Sequence, residues 1–157
     1  MKIKRVSKKT INFIVKGDKM KKKYFNLALI YAICGMVAGV FYREFTKWNS
    51  FTGVTALGKL HTHLLTLGML VFLLVAIFSN SMDLEKDKKF KIFMKVYNIG
   101  LPILALTMLV RGVVQVRDLQ ISKALDASIS GIAGIGHMLV GLGIVLFLLA
   151  LRNCAKK

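Results

Sequence analysis

Acidic residues are scarce in this chain. Seven Asp and Glu face 24 Lys and Arg across 157 residues, a formal net charge of +17. None of the seven falls inside a long apolar run, so the sequence offers no membrane-embedded carboxylate of the kind a proton-coupled exporter uses. Cysteine is also rare. Cys34 and Cys154 fall at different depths of the pattern and cannot easily meet. The absence of CxxC and CxxCH excludes covalent attachment of c-type haem. Pro102 is the only proline, and no internal repeat, low-complexity tract or second domain interrupts the chain. Pro102, close to Gly100, predicts a kink in the third apolar run.

What is present is apolar sequence in four blocks. Hydrophobic residues make up 55% of the chain, and the cations mostly sit between the blocks. A basic nucleic-acid binder spreads its charge over a polar surface instead, so no nucleic-acid partner is expected. The same segregation excludes a disordered tail, a collagen-like chain and an ordinary soluble domain.

Crossing the hydrocarbon core takes roughly 20 apolar residues in a helix, because the core is about 30 Å thick. Four segments meet that length: residues 24–42, 57–78, 93–116 and 129–151. In lipid the backbone must satisfy its own hydrogen bonds, which selects helices over strands. The predicted fold is all-α, a polytopic four-transmembrane-helix bundle forming a single domain over 24–151. A basic arm (1–23) precedes it and a short tail (152–157) follows. Residues 1–23 carry ten cations; the connection between spans two and three, Lys95 and the tail raise that side to eighteen of the 24. By the positive-inside rule both termini face the cytoplasm of a bacterial cell membrane, and the connections 43–56 and 117–128 face outward. The arm's cations hold topology and touch anionic lipid.

Met20-Lys21-Lys22-Lys23 before an apolar run imitates a signal peptide. Ile33 is too bulky for a lipoprotein cleavage site at Cys34, and the run is long enough to span. It reads as a retained helix, with Met20 an alternative start.

Polar groups inside spans are costly, so they mark candidate function. Three histidines and Arg111 qualify. Helical rise places His61 and His63 at ~6 and ~9 Å below the outer boundary, His137 at ~12 Å and Arg111 at ~8 Å. They occupy one layer. On span two, Thr62, Thr66 and Met69 share a face flanked by both histidines, with His63 the better inward candidate. His137 shares a stripe with Ser130, Ala133, Gly134 and Gly141. On span three, Thr107, Met108, Arg111 and Gln115 align. Taken singly, each histidine reads as an interfacial residue, each glycine stripe as a packing surface and each methionine as filler. It is the shared layer that argues for a site.

Two neutral imidazoles on facing helices, with small residues between them, suit axial ligation of haem iron. Arg111, with Arg43, Lys47 or Lys59 above it, can neutralise haem propionates at the outer interface. Three histidines also permit a zinc or copper site, which Met69 or Met138 can help complete, although no acid lies nearby.

The stretch Leu60-His61-Thr62-His63-Leu64-Leu65-Thr66-Leu67-Gly68 carries a resemblance. Together with Tyr24-Phe25-Asn26, Tyr42-Arg43-Glu44-Phe45 and Gly136-His137, it makes residues 20–152 similar to a family of small four-span bacterial membrane proteins. The likeness is greatest to haem-sensing, haem-capturing membrane proteins of anaerobic Firmicutes. The resemblance implies membrane haem binding and haem tolerance. The residues themselves lead to the ligand assignment: His137 with His63 or His61 on iron, and Arg111 or Arg43 on a propionate. The expectation is a non-enzymatic protein that sequesters b-type haem. Alternatives are a quinone-linked electron-transfer subunit, a haem or metal transporter, and a structural protein without a cofactor. The Gly-rich faces leave room for a homodimer.

Overall fold

The computed structural model describes the backbone of residues 8–155 and the side chains of residues 22–155. Lys2, Lys4, Arg5, Lys156 and Lys157 lie outside those residues, as do the side chains of the basic arm up to residue 21. All regular secondary structure among the described residues is helical. Helix α1 runs over Lys8–Trp48 and α2 over Leu57–His63; a π-helical segment, Leu64–Leu70, leads into α3 at Val71–Ser81. A 3₁₀ turn, Leu84–Lys86, then precedes α4 at Lys88–Val116 and α5 at Lys123–Ala155. Four stretches are long and apolar enough to cross a membrane: Lys22–Trp48, Leu57–Ser81, Lys88–Val116 and Lys123–Ala155. The protein is a small multi-pass membrane protein.

The helices outrun the apolar blocks. α1 continues past Tyr42 to Trp48, and residues 8–23 extend it at the other end. α5 starts at Lys123 rather than Ile129. Ser122 explains that early start, since its hydroxyl accepts from the Leu125 amide and its carbonyl from the Asp126 amide. A serine before a run of helix formers is a helix-start signal that hydropathy does not register. The segment expected as a loop to Ser128 therefore contains a helical turn bearing Asp126. Asp87 caps α4 in the same manner, accepting from the Lys89 and Phe90 amides. α4 runs on through Pro102, whose missing N–H leaves the Asn98 carbonyl without its usual helical partner.

The bundle is two helix pairs rather than a uniform ring. α1 lies along the whole of span two (α2, the π segment and α3), and α5 lies along α4. Span two meets α4 chiefly through α2, near the end carrying the 49–56 and 117–122 connections, here termed the histidine end. With no water to expel between helices in lipid, close packing and hydrogen bonds must hold them together. Toward the opposite end the core is aromatic: Phe93 stacks on Phe147 at 4.9 Å and meets Tyr97 at 5.1 Å, while Tyr31 stacks on Phe72 at 5.5 Å. Tyr97, Phe72, Phe90 and Phe93 are fully buried. The histidine end adds polar bonds and glycine contacts to its apolar packing, in which Phe41 stacks on Phe45 at 4.9 Å and Leu57, Leu60 and Leu64 are buried.

The π segment interrupts the regular α period directly after the Leu-His-Thr-His motif. The wider turn places Gly68 against Tyr31, and the Tyr97 hydroxyl donates to the Leu67 carbonyl at 2.8 Å. Tyr97 thus satisfies backbone in the segment where the α ladder is broken.

Candidate functional site

His61 and His63 diverge. Separated by about 200° around α2, they face different neighbours. His61 packs on α1, where a side chain at Gly39 would meet its ring 3.7 Å away and the Tyr42 ring stacks on it at 6.4 Å. Its Nδ1 is buried without a hydrogen-bond partner. His63 faces the other way, toward α5. Its ring centroid stands 6.3 Å from that of His137, with the two planes at 86°. These two histidines bridge the cleft between span two and α5, helices that both pack against α4.

The two rings share a local constraint. His63 Nδ1 lies 2.8 Å from the Lys59 carbonyl, and His137 Nδ1 lies 2.9 Å from the Ala133 carbonyl. A carbonyl only accepts, so in both neutral imidazoles Nδ1 must hold the proton and Nε2 keeps its lone pair. That is the tautomer a metal-ligating histidine needs, fixed by the hydrogen bond its other nitrogen makes. Each bond is an i to i−4 contact within one helix, available once the residue lies past its first turn.

Space surrounds His137. The α5 glycines 131, 134 and 141 have nothing within 4 Å of where a side chain would begin, and Met138 is 68% exposed. Where α5 does touch α4, glycines permit close approach: a side chain at Gly136 would lie 3.0 Å from the Leu104 amide nitrogen. Among the described residues, no group of three His, Cys, Asp or Glu side chains comes together to hold a metal ion. The pair can supply two lone pairs to one ion. His61 does not join it.

Arg111 turns toward α5. Its Nη1 donates to Asp126 Oδ1 at 2.6 Å, and its Nη2 donates to the Asp126 carbonyl at 3.2 Å and to Ser130 Oγ. Gln115, on the same polar stripe, turns to span two instead, accepting from the Ala56 amide at 2.8 Å. Thr55 adds a bond to the Gly112 carbonyl at 3.2 Å, tying the start of span two to α4. Above Arg111 lies an open recess of about 410 Å³ walled by Gln115, Asp118, Lys123 and Asp126 among others. Arg43 is far more exposed, at 82%, and pairs with its neighbour Glu44 at 3.6 Å.

Residues 20–154 match the family described as protein of unknown function DUF2871. The chain belongs to that family. The match takes in all three histidines, Arg111 and Asp126. No curated protein and no solved structure matches the chain.

Asp126 and Tyr97 are the two residues that composition and periodicity passed over. Ser122 was the available signal for Asp126. Tyr97 had none, because its bond to Leu67 depends on a π turn that apolar sequence does not announce.

Proposed function

We propose that this DUF2871 member binds b-type haem non-covalently within the cell membrane and sequesters it, with His63 and His137 as axial ligands. One observation carries the reading: two imidazoles on separate helices stand 6.3 Å apart, each with Nδ1 tied to backbone. With Nδ1 occupied in each ring, the two Nε2 lone pairs are the atoms that would hold the haem iron. The glycine-lined side of α5 offers flat room for a macrocycle. Lys59, one turn nearer the histidine end than His63, is placed to meet a propionate. Arg111 serves the same role only with the donors its bond to Asp126 leaves over. The haem itself supplies the iron; the protein contributes ligands, an apolar wall and charge at the wet rim. With both axial positions filled from the chain, binding is favoured over catalysis. By the positive-inside rule, the eighteen cations counted on one side of the sequence pattern support a reading with both termini cytoplasmic and the histidines toward the outer leaflet.

Purified protein supplied with haem is expected to show a Soret band and sharp α and β bands on reduction. His63→Ala and His137→Ala each abolish the low-spin spectrum, whereas His61→Ala retains it. A protein that takes up no haem overturns the proposal, and a His137→Ala protein with an unaltered spectrum removes that ligand.

A further inference from the structure

We infer that Arg111, Asp126 and Ser130 form a positioning clamp that sets the rotation of α5 and so keeps His137 turned toward His63. The inference rests on the assignment of His63 and His137 as the paired ligands, but it concerns the chain itself and holds with or without haem.

The argument is geometric. Asp126 precedes His137 by eleven residues, about three helical turns, and Ser130 precedes it by seven, about two. At ~100° per residue both therefore lie within ~20° of the His137 direction, one on either side of it. The single guanidinium of Arg111 grips both, with Nη1 on the Asp126 carboxylate and Nη2 on the Asp126 carbonyl and the Ser130 hydroxyl. A planar fork held at three points has little rotational freedom. A turn of α5 by one residue carries Asp126 and Ser130 off Arg111 and carries His137 off His63 by the same angle.

The remaining α4–α5 contacts on this half are apolar and lack the directionality of a hydrogen bond, with Ile129 and Val140 the buried side chains of α5 there. Gly136 allows close approach to Leu104, but a glycine offers no side chain to lock a register. Gly131 and Gly134, on the turns between the clamp and His137, meet nothing within 4 Å. The aromatic core holds α5 through Phe147, nearer the other end. The Arg111 side chain is 26% exposed and that of Asp126 52%, so the pair's hold comes from its three directed hydrogen bonds more than from unscreened charge. These groups position a ligand without touching it.

The test uses full-length protein with Cys34→Ser and Cys154→Ser, into which His63→Cys and His137→Cys are introduced. A short bifunctional thiol reagent, applied without haem, is expected to join the two cysteines. Adding Asp126→Ala slows that cross-linking about tenfold, the scale of a lost charge-assisted bond. The exchange Arg111→Asp with Asp126→Arg restores it. In the histidine-intact protein, Asp126→Ala converts bound haem from low to high spin. Cross-linking that ignores Asp126→Ala overturns the clamp while leaving haem binding intact. Cross-linking that responds, in a protein that never takes up haem, upholds the clamp and removes the haem reading. If Asp126→Ala does not fold, Ser130→Ala and Arg111→Lys make the same comparison.

Discussion

Gly68 and Gly134 show how differently two glycines of one bundle are used. At Gly68 a side chain would meet Tyr31 Cγ at 2.5 Å, and Tyr31 cannot swing away because it stacks on Phe72. Gly68→Ala is therefore expected to destabilise the folded protein by about 1–3 kcal/mol, the usual cost of overpacking, measured as a lowered midpoint of thermal unfolding in detergent. A variant that melts with the parent would show that this seam is looser than the packing requires. At Gly134 nothing lies within 4 Å. Gly134→Ala should leave the haem-free protein as stable as the parent, or up to about 1 kcal/mol more so, through helix propensity. The same variant crowds the proposed cleft, so its affinity for haem, followed by Soret titration, is expected to fall. Unimpaired titration would place the macrocycle elsewhere. His61 is a residue-scale surprise of another kind. It stands two positions from His63 in a conspicuous motif, yet it packs on the far side of the helix against α1.

Among the elements, α4 carries α5 along its length and meets span two chiefly at α2, and its start is fixed by Asp87. Oδ1 accepts from two backbone amides and Oδ2 from the Asn153 side chain of α5 at 3.1 Å. The bond from Asn153, opposed by burial but helped by those amides and by Lys89, holds the Asp87 carboxyl below its usual range. A carboxyl whose folded value is lowered stabilises the protein above its unfolded value, near 4, and loses that contribution as pH falls through the lower folded value. Asp87→Ala should cost about 0.5–2 kcal/mol at neutral pH, the range for a lost helix cap. Asp87→Asn keeps a cap but should flatten the acid side of a stability profile measured between pH 3 and 7. An unchanged acid limb in Asp87→Asn would assign that dependence to another group. The π segment is the second element of consequence, since it breaks the α period below the histidines and sets Gly68 beneath Tyr31.

For the molecule as a whole, the two ends contrast: one closes on the buried rings of Phe72, Phe90, Phe93 and Tyr97, and the other carries the paired histidines beside the open glycine face of α5. The proposed orientation is checked by labelling intact cells with a membrane-impermeant thiol reagent, after Cys34→Ser and Cys154→Ser. Val54→Cys, at a position 89% exposed, should react from outside, and Lys86→Cys, 70% exposed, only after permeabilisation. The reverse pattern would invert the bundle. Much of this architecture was legible in one dimension. Apolar run length defined four spans, because a helix in lipid needs only length and hydrophobicity. Charge placement divided the connections between two sides. Rise per residue set His63 and His137 at similar levels, and their rings stand 6.3 Å apart. Facing was not legible to the same degree, because helix rotation is decided by contacts between distant parts of the chain. His63 meets His137 and His61 meets α1 only once α1, span two and α5 have docked. Arg111 looked like a free cation for a ligand because hydropathy left Asp126 in a loop; the Ser122 start of α5 brings that carboxylate within reach. By itself the sequence determined which segments are long and apolar enough to lie in a membrane. The tertiary structure decided which of those groups face one another, because packing at glycines and a side-chain clamp, rather than hydrophobicity, orient helices in lipid.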